Sequence, residues 1–171
     1  MIVEIEIKYL EMTDPSQLIP RRVDVEGLEI RRAEIPLPEL NRFLYTAVGG
    51  DWYWVDRLDW TYQQWSDWVD RPNMHTWVAY LSGTPVGYVE LEKQGVDVEL
   101  SKFGLLSKFI GSGLGAHLLT ESVERAWEMG ASRVWLNTCS LDHPARFTTT
   151  RRGASRYTTR DTTPRTCLKD Q

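Results

Sequence analysis

Residues 103–119 read Phe-Gly-Leu-Leu-Ser-Lys-Phe-Ile-Gly-Ser-Gly-Leu-Gly-Ala-His-Leu-Leu, and this stretch is the most informative part of the sequence. It predicts a strand, then a turn that contains Gly111, Gly113 and Gly115, then a helix. Glycine lets backbone N–H groups approach a ligand without interference from a Cβ atom. The helix directs its unpaired N-terminal donors and the positive end of its dipole to the same point. The stretch therefore predicts an anion site, most often one for phosphate.

Two common nucleotide-binding patterns fit this turn poorly. A Walker loop needs Gly-Lys-Ser/Thr at the start of the helix, whereas Gly115 is followed by Ala116 and His117. A dinucleotide fingerprint has GxGxxG spacing and an acidic residue after the next strand. Here the spacing is GxGxG, and the next strand ends in Asn-Thr-Cys. The alternative without a ligand is a hinge or packing turn, which three alternate glycines at a strand–helix junction disfavour.

Composition narrows the class of protein. A chain of 171 residues suggests one domain, and its net charge of −4 gives no support for nucleic-acid binding. The two cysteines form no CxxC pair and the three histidines are scattered, so no metal site is predicted. The sequence has neither a signal-peptide pattern nor an apolar run of membrane-spanning length. These observations predict a cytoplasmic protein that does not bind membranes.

The other segments alternate between strand and helix patterns. The first helix opens at Pro36 and Pro38 and ends at Gly49-Gly50, and a face of Leu40, Phe43, Leu44 and Ala47 is expected to be buried. A second helix is predicted over 61–69, and the helix after the glycine-rich turn ends at Gly130. Strands are predicted over 3–9, 28–33, 76–81, 86–92, 96–100 and 133–139. Strands on both sides of the glycine-rich helix predict a βαβ crossover in an otherwise antiparallel sheet, hence an α+β fold.

The glycine-rich turn resembles the acyl-CoA-binding signature of the GNAT superfamily of N-acetyltransferases, Arg/Gln-x-x-Gly-x-Gly/Ala. Gly113 and Gly115 occupy its two small positions, Gly111 is the glycine that follows the basic residue, and Ile110 stands where Arg or Gln is usual. Residues 98–100 and 103–106 match the strand before the loop. The resemblance implies one GNAT domain over residues 1–145, with a mixed, mostly antiparallel sheet and flanking helices.

The resemblance also implies acetyl-CoA as co-substrate and a set of residues that would bind it. The pantetheine arm would pair with the strand, and the pyrophosphate would meet the turn; the residues concerned are Phe103, Gly104, Leu105, Leu106, Ile110, Gly111, Ser112, Gly113, Leu114, Gly115 and Ala116. Glu99 is the first candidate for the general base because this strand often carries an acidic residue there. Glu90 and Glu92 are the alternatives, and each of the three carboxylates fits a solvent-exposed strand face equally well.

The acceptor is expected to be an amine. Trp52, Tyr53 and Trp54 lie in an aromatic segment interleaved with aspartates, a combination that suits a cation, although any single Trp also fits a core position. The resulting function is direct transfer of an acetyl group to a primary amine of a small molecule. Acetylation of protein N-termini or lysines, and a non-catalytic acyl-CoA-binding protein, are the alternatives. The sequence leaves a homodimer open.

The composition changes after Arg146. Eight threonines and six arginines fall in residues 146–171, which predicts an irregular, poorly ordered tail. The resemblance instead implies a helix that carries a tyrosine after Asp142-His143-Pro144, then Gly-Phe, then closing strands. Without that tyrosine the thiolate lacks its usual general acid, which predicts slow turnover. Without the closing strands a sheet edge is expected to be exposed.

A shifted reading frame accounts for this tail. Reading each third base with the next two bases from Ala145 to Tyr157 permits Ala-Leu-His-Asn-Tyr-Gln-Ala-Arg-Gly-Phe-Thr-Leu. This string resembles the family's ending, with Asn-Tyr and Gly-Phe included. The hypothesis is a one-base deletion near the codon for Ala145, and the alternative is a genuine low-complexity tail.

Overall fold

The structure, a computed structural model, describes residues 2–5, 7–142 and 165–168, the first and last of these ranges by their backbone alone. Strands and helices alternate within these ranges much as the sequence predicts. In chain order they are β1 Ile2–Ile5, β2 Ile7–Met12, β3 Leu28–Arg32, α1 Pro38–Gly49, α2 Tyr62–Val69, β4 Met74–Leu81, β5 Thr84–Gln94, β6 Asp97–Leu105, α3 Leu114–Glu128, β7 Arg133–Cys139 and β8 Arg165–Leu168.

Six strands form one mixed sheet in the order β2-β7-β6-β5-β4-β3. Neighbouring strands are antiparallel except β6 and β7, which are parallel and are joined through α3. Parallel neighbours require such a crossover connection. The predicted α+β class and the βαβ unit are therefore confirmed.

The parallel strands β6 and β7 pair over a short distance only. Asp97–Glu99 pair with Arg133–Trp135, and beyond these residues the two strands part. On its other side β6 follows β5 as far as Leu105, with a register shift between Glu90 and Leu91. The shift is a bulge in β6 that changes which residues face the core, Leu100 before it and Phe103 after it. The β6 residues from Leu100 to Leu105 thus have no paired residue on β7, and we call the region between the two strands beyond Glu99 the gap.

The sheet is covered on both faces. On one face, α3 buries Leu118, Leu119, Val123 and Ala126 against aliphatic residues of the strands. On the other, α1 and α2 enclose a smaller aromatic cluster that includes Tyr45, Trp65 and Tyr88. These spacings on α3 are the three- and four-residue steps of an amphipathic helix.

The buried face of α1 differs from the prediction. The helix buries Asn41, Leu44, Tyr45 and Val48, whereas Phe43 is 54% exposed. The Asn41 side chain donates hydrogen bonds to Thr76 Oγ1 (2.8 Å) and Glu90 Oε1 (2.9 Å), so the helix presents this polar residue to the sheet. A prediction from hydrophobic periodicity counts Asn as solvent-facing and therefore rotates the helix by one position.

Strand β7 is not an edge of the sheet, because β2 lies beside it. Strand β2 pairs with β7 along its length, from Ile7 opposite Cys139 to Met12 opposite Val134. Strand β1 pairs with β8, so residues 165–168 of the predicted irregular tail form a strand. The rest of that tail, including the positions where the shifted frame reads Asn-Tyr and Gly-Phe, lies outside the described residues.

Candidate acyl-CoA site

The glycine-rich turn has the backbone conformation that its sequence predicts. Gly111 and Gly113 have φ of 87° and 85°, the left-handed region that side chains rarely adopt, and Gly113 is the N-cap residue of α3. A Cβ added at Gly111 would meet no atom within 4 Å, whereas one at Gly113 would lie 3.1 Å from Val23 Cγ1. The turn at Gly111 is therefore open on the side where a side chain would project.

The turn and the end of β6 come together. A Cβ added at Gly115 would lie 3.5 Å from Leu105 Cδ1, so the first turn of α3 packs directly on the strand. The N–H groups at the start of a helix have no carbonyl partner within it. The two segments predicted to bind the cofactor, 103–106 and 110–116, thus meet where Gly115 packs on Leu105.

Backbone groups of β6 face this gap. The Leu106 N–H donates to the Val86 carbonyl oxygen of β5 at 2.9 Å. Antiparallel pairs alternate between bonded and non-bonded positions, so the polar backbone groups of Leu105 and Phe103 point away from β5. That direction is towards β7, from which β6 has already separated.

Alanine substitution separates the two kinds of glycine in this turn. We expect Gly111→Ala to lower the free energy of unfolding by about 1–2 kcal/mol, since its left-handed backbone disfavours a Cβ atom. Gly115→Ala is the matched control, because it lies within α3 with ordinary packing room and gains up to about 1 kcal/mol of helix propensity. Urea unfolding measures both, and equal stabilities would contradict the left-handed turn.

Glu99 lies on the opposite side of the sheet from α3 and is half-buried. Its Oε2 accepts a hydrogen bond from Gln94 Nε2 at 2.8 Å, and the same amide donates to Glu92 Oε2 at 3.1 Å. Burial raises the pKa of the Glu99 carboxyl, and the negative charge of Glu92 acts in the same direction. Glu92 itself is paired with Arg71 at 2.6 Å. Glu99 is thus a carboxylate that takes up a proton more readily than usual.

Glu90 occupies a different environment, because its side chain is fully buried under α1 and α2. Arg57 Nη1 donates to Glu90 Oε2 at 2.7 Å, and Trp68 Nε1 donates to the same oxygen at 3.1 Å. Asn41 Nδ2 donates a hydrogen bond to the other carboxylate oxygen, Glu90 Oε1. Arg57 is 4% exposed, and its guanidinium lies 4.1 Å from the Trp68 ring centroid. These contacts make Glu90 the centre of a buried polar network.

Lys102 was not singled out from the sequence. Its Nζ lies 3.1 Å from Asp56 Oδ2 and 5.3 Å from the Trp54 ring centroid. Burial lowers the pKa of this lysine, while Asp56 opposes that effect. The bulge in β6 places Lys102 opposite Glu90 on the face towards α1. No sequence pattern within residues 97–105 predicts a bulge, so Lys102 could not be identified from the sequence as a candidate site residue.

Trp52, Tyr53 and Trp54 lie at the far end of β6 from Glu99. Trp54 is 8% exposed and packs on Gly49, and its ring lies near Gly104. Its Nε1 lies 3.4 Å from Asp142 Oδ1, while Tyr53 is 43% exposed. Gly104 lies five residue steps along β6 from Glu99, about 16 Å. The structure therefore places the three aromatic residues beside the cofactor segment and apart from Glu99.

Comparison with known families decides the identity. The sequence model of the Acetyltransferase (GNAT) family matches residues 39–154. The chain belongs to the GNAT acetyltransferase family. This GNAT chain matches no curated protein.

Solved structures with this fold include other GNAT proteins. A GCN5-related N-acetyltransferase from Sphaerobacter thermophilus matches with a TM-score of 0.64 and 20% identity. The match covers 90% of the present chain and 48% of the Sphaerobacter chain. A GCN5-related N-acetyltransferase from Kribbella flavida matches with a TM-score of 0.57 and 20% identity, and the match covers 81% of the present chain and 49% of the Kribbella chain. An aminoglycoside acetyltransferase from an uncultured soil metagenomic sample, in complex with sisomicin, has a TM-score of 0.60 and 15% identity, with 72% and 86% covered. The GNAT chain thus spans about half the length of the first two.

Within the described ranges no helix is long and apolar enough to cross a membrane. The same part of the chain contains no group of three or more His, Cys, Asp or Glu side chains that could hold a metal ion.

Proposed function

We propose that this chain is an N-acetyltransferase that moves an acetyl group from acetyl-CoA to the primary amine of a small molecule by direct transfer. One observation carries the proposal: the left-handed Gly111–Gly113 turn opens at the N-terminus of α3, beside the gap between β6 and β7. Backbone donors at a helix N-terminus favour a phosphate group. The polar backbone of Phe103 and Leu105 lines the gap and suits an amide-containing chain such as pantetheine.

The polarity of these backbone groups supports acetyl-CoA as the ligand. Residues 110–116 would hold the pyrophosphate, and 103–106 would pair with the pantetheine arm. The bound group supplies a thioester whose carbonyl carbon the amine attacks, so that a C–N bond forms and the C–S bond breaks. The Leu105 N–H faces the gap and is our candidate donor to the oxyanion. Glycines at 111 and 113 support this assignment, since a larger residue at 111 would fill the open side of the turn.

Glu99 is the base that we favour over Glu90. An acceptor ammonium must lose a proton before its nitrogen can attack, and a carboxylate with a raised pKa accepts that proton more readily. Glu90 has its oxygens engaged by Asn41, Arg57 and Trp68 and is closed to solvent. Its role in the proposal is to hold α1 and α2 on the sheet.

The acceptor in this proposal is a small-molecule amine. An aminoglycoside acetyltransferase with the same fold was solved with sisomicin, which supports a small amine as acceptor rather than a protein N-terminus or lysine. Contact between the acceptor and Trp52, Tyr53 or Trp54 stays a prediction, and it requires an acceptor that reaches past Lys102. The domain boundary at residue 145, the homodimer and a cytoplasmic location likewise stay predictions.

Calorimetry with acetyl-CoA and thiol release with a panel of amines test the proposal. We expect the chain to bind acetyl-CoA, and saturating ligand at about 100 times Kd to stabilise it by about 2.7 kcal/mol. A frame-restored chain, carrying Asn-Tyr and Gly-Phe after residue 145, is expected to release thiol about 10²–10⁴-fold faster if its tyrosine is the general acid.

Each outcome separates the alternatives. Binding without thiol release in both chains would favour the non-catalytic acyl-CoA-binding protein. Release with peptides but with no small amine would favour the protein acetyltransferase. No binding in either chain would overturn the acyl-CoA site itself. A gene sequence whose other frame lacks the Asn-Tyr and Gly-Phe codons would refute the deletion hypothesis.

A further inference from the structure

The parallel pairing of β6 and β7 ends with Glu99 opposite Trp135. Partners in a parallel pair lie about 4.8 Å apart and point to the same face of the sheet. Val134 and Leu136 are buried on the α3 face, so Trp135 lies on the other face, as Glu99 does. The two side chains therefore stand together where the pairing of β6 with β7 ends.

A second aromatic ring extends this surface. Tyr9 of β2 lies with its ring centroid 6.1 Å from that of Trp135, at an interplanar angle of 32°. The Arg133 guanidinium lies 5.4 Å from the Trp135 centroid and is itself paired with Glu11 (2.7 Å) and Asp97 (2.9 Å). The indole thus already contacts one cation, and two carboxylates offset the charge of that cation.

Glu99 supplies a carboxylate at this position, on which the positive charges of Lys102 and Arg57 also act. Within residues 7–142, Glu99 accepts a hydrogen bond from the neutral Gln94 amide and forms no ion pair. Its neighbour Glu92 is already paired with Arg71. A carboxylate beside an indole can bind an ammonium group through charge and through the ring's π face.

We propose that Trp135 is a specificity-determining residue, which with Glu99 receives the acceptor as a primary alkylammonium ion. This inference rests on the proposed function. It predicts that the enzyme selects alkylamines, which are charged at neutral pH, over arylamines, which are neutral. The aromatic residues that select the acceptor would then be Trp135 and Tyr9 at the start of the gap.

Two isomeric amines and three variants test this inference. Benzylamine is charged at neutral pH, and 4-methylaniline is neutral and has the same atoms. We expect Trp135→Leu to raise the KM for benzylamine about 2- to 30-fold, with kcat and the acetyl-CoA Kd unchanged. Trp135→Phe keeps a ring and should raise KM less. Trp127→Phe on α3, on the other face of the sheet, is the control that should leave KM unchanged.

The outcomes are distinct. A benzylamine KM that is unchanged in Trp135→Leu, or that rises instead in Trp52→Leu, overturns the inference and leaves the proposed function standing. Acetylation of 4-methylaniline in preference to benzylamine also overturns it. Absence of acetyl-CoA binding and of thiol release with every amine overturns the proposed function, and the inference with it. Thermal melting of each variant checks that it is folded.

Discussion

Glu99→Gln lowers kcat about 10²–10⁴-fold in the reaction that we propose, because the amide cannot take the proton of the acceptor ammonium. The amide is close in size to the carboxylate and keeps the capacity to accept from Gln94, so the fold should persist. The acetyl-CoA Kd should not change, since Glu99 lies outside the turn and the 103–106 segment. Steady-state thiol release and calorimetry on the same sample measure the two quantities.

The pH profile supplies a control for this prediction. A base acts in its deprotonated form, so activity should rise with pH through the Glu99 pKa, which burial and Glu92 hold above its usual value. Glu92→Gln removes one negative neighbour, and the rising limb should therefore move to lower pH. The same raised pKa means that folding favours protonated Glu99, so this group's contribution to stability falls as pH rises. A kcat within threefold of wild type in Glu99→Gln would refute the role of Glu99.

The sequence predicts most of the architecture because local chemistry determines it. The turn at Gly111–Gly113 needs left-handed backbone that glycine adopts readily, and the structure has φ of 87° and 85° there. The strands predicted over 76–81 and 86–92 correspond to β4 and β5, and α3 has the buried face that its periodicity indicates. The family resemblance is confirmed by the match over residues 39–154.

The environment of each carboxylate could not be predicted, because it depends on contacts distant in sequence. Glu90 on β5 and Glu99 on β6 both fit alternating strands, yet Arg57 and Asn41 enclose Glu90. The bulge in β6 places Lys102 opposite Glu90, while Glu99 lies opposite Glu92. Trp135 likewise could not be identified as a candidate site residue until its register opposite Glu99 was known. The rotation of α1 follows from the same network, since Asn41 is drawn inward by Glu90 and Thr76.

Arg57→Met should lower the free energy of unfolding by about 3–5 kcal/mol, the largest stability change that we expect from a single substitution. It leaves the fully buried Glu90 without the guanidinium that lies 2.7 Å away. It also removes a cation from the faces of Trp60 and Trp68, at 4.9 and 4.1 Å from their centroids. For a chain of 171 residues this loss corresponds to a fall in Tm of about 6–20 °C, which calorimetry measures.

The double variant Arg57→Met/Glu90→Gln tells a lost ion pair from lost packing. With the buried charge removed as well, much of the stability should return, because the cost lies in leaving one charge unpaired. Arg22→Met is the surface control: Arg22 pairs with Glu121 and Glu124 at 2.5 and 2.6 Å but is half-exposed, so its loss should cost about 0–1 kcal/mol. If the effects of Arg57→Met and Glu90→Gln simply add, the two side chains do not interact, and the buried network does not hold α1 and α2 to the sheet in the way we describe.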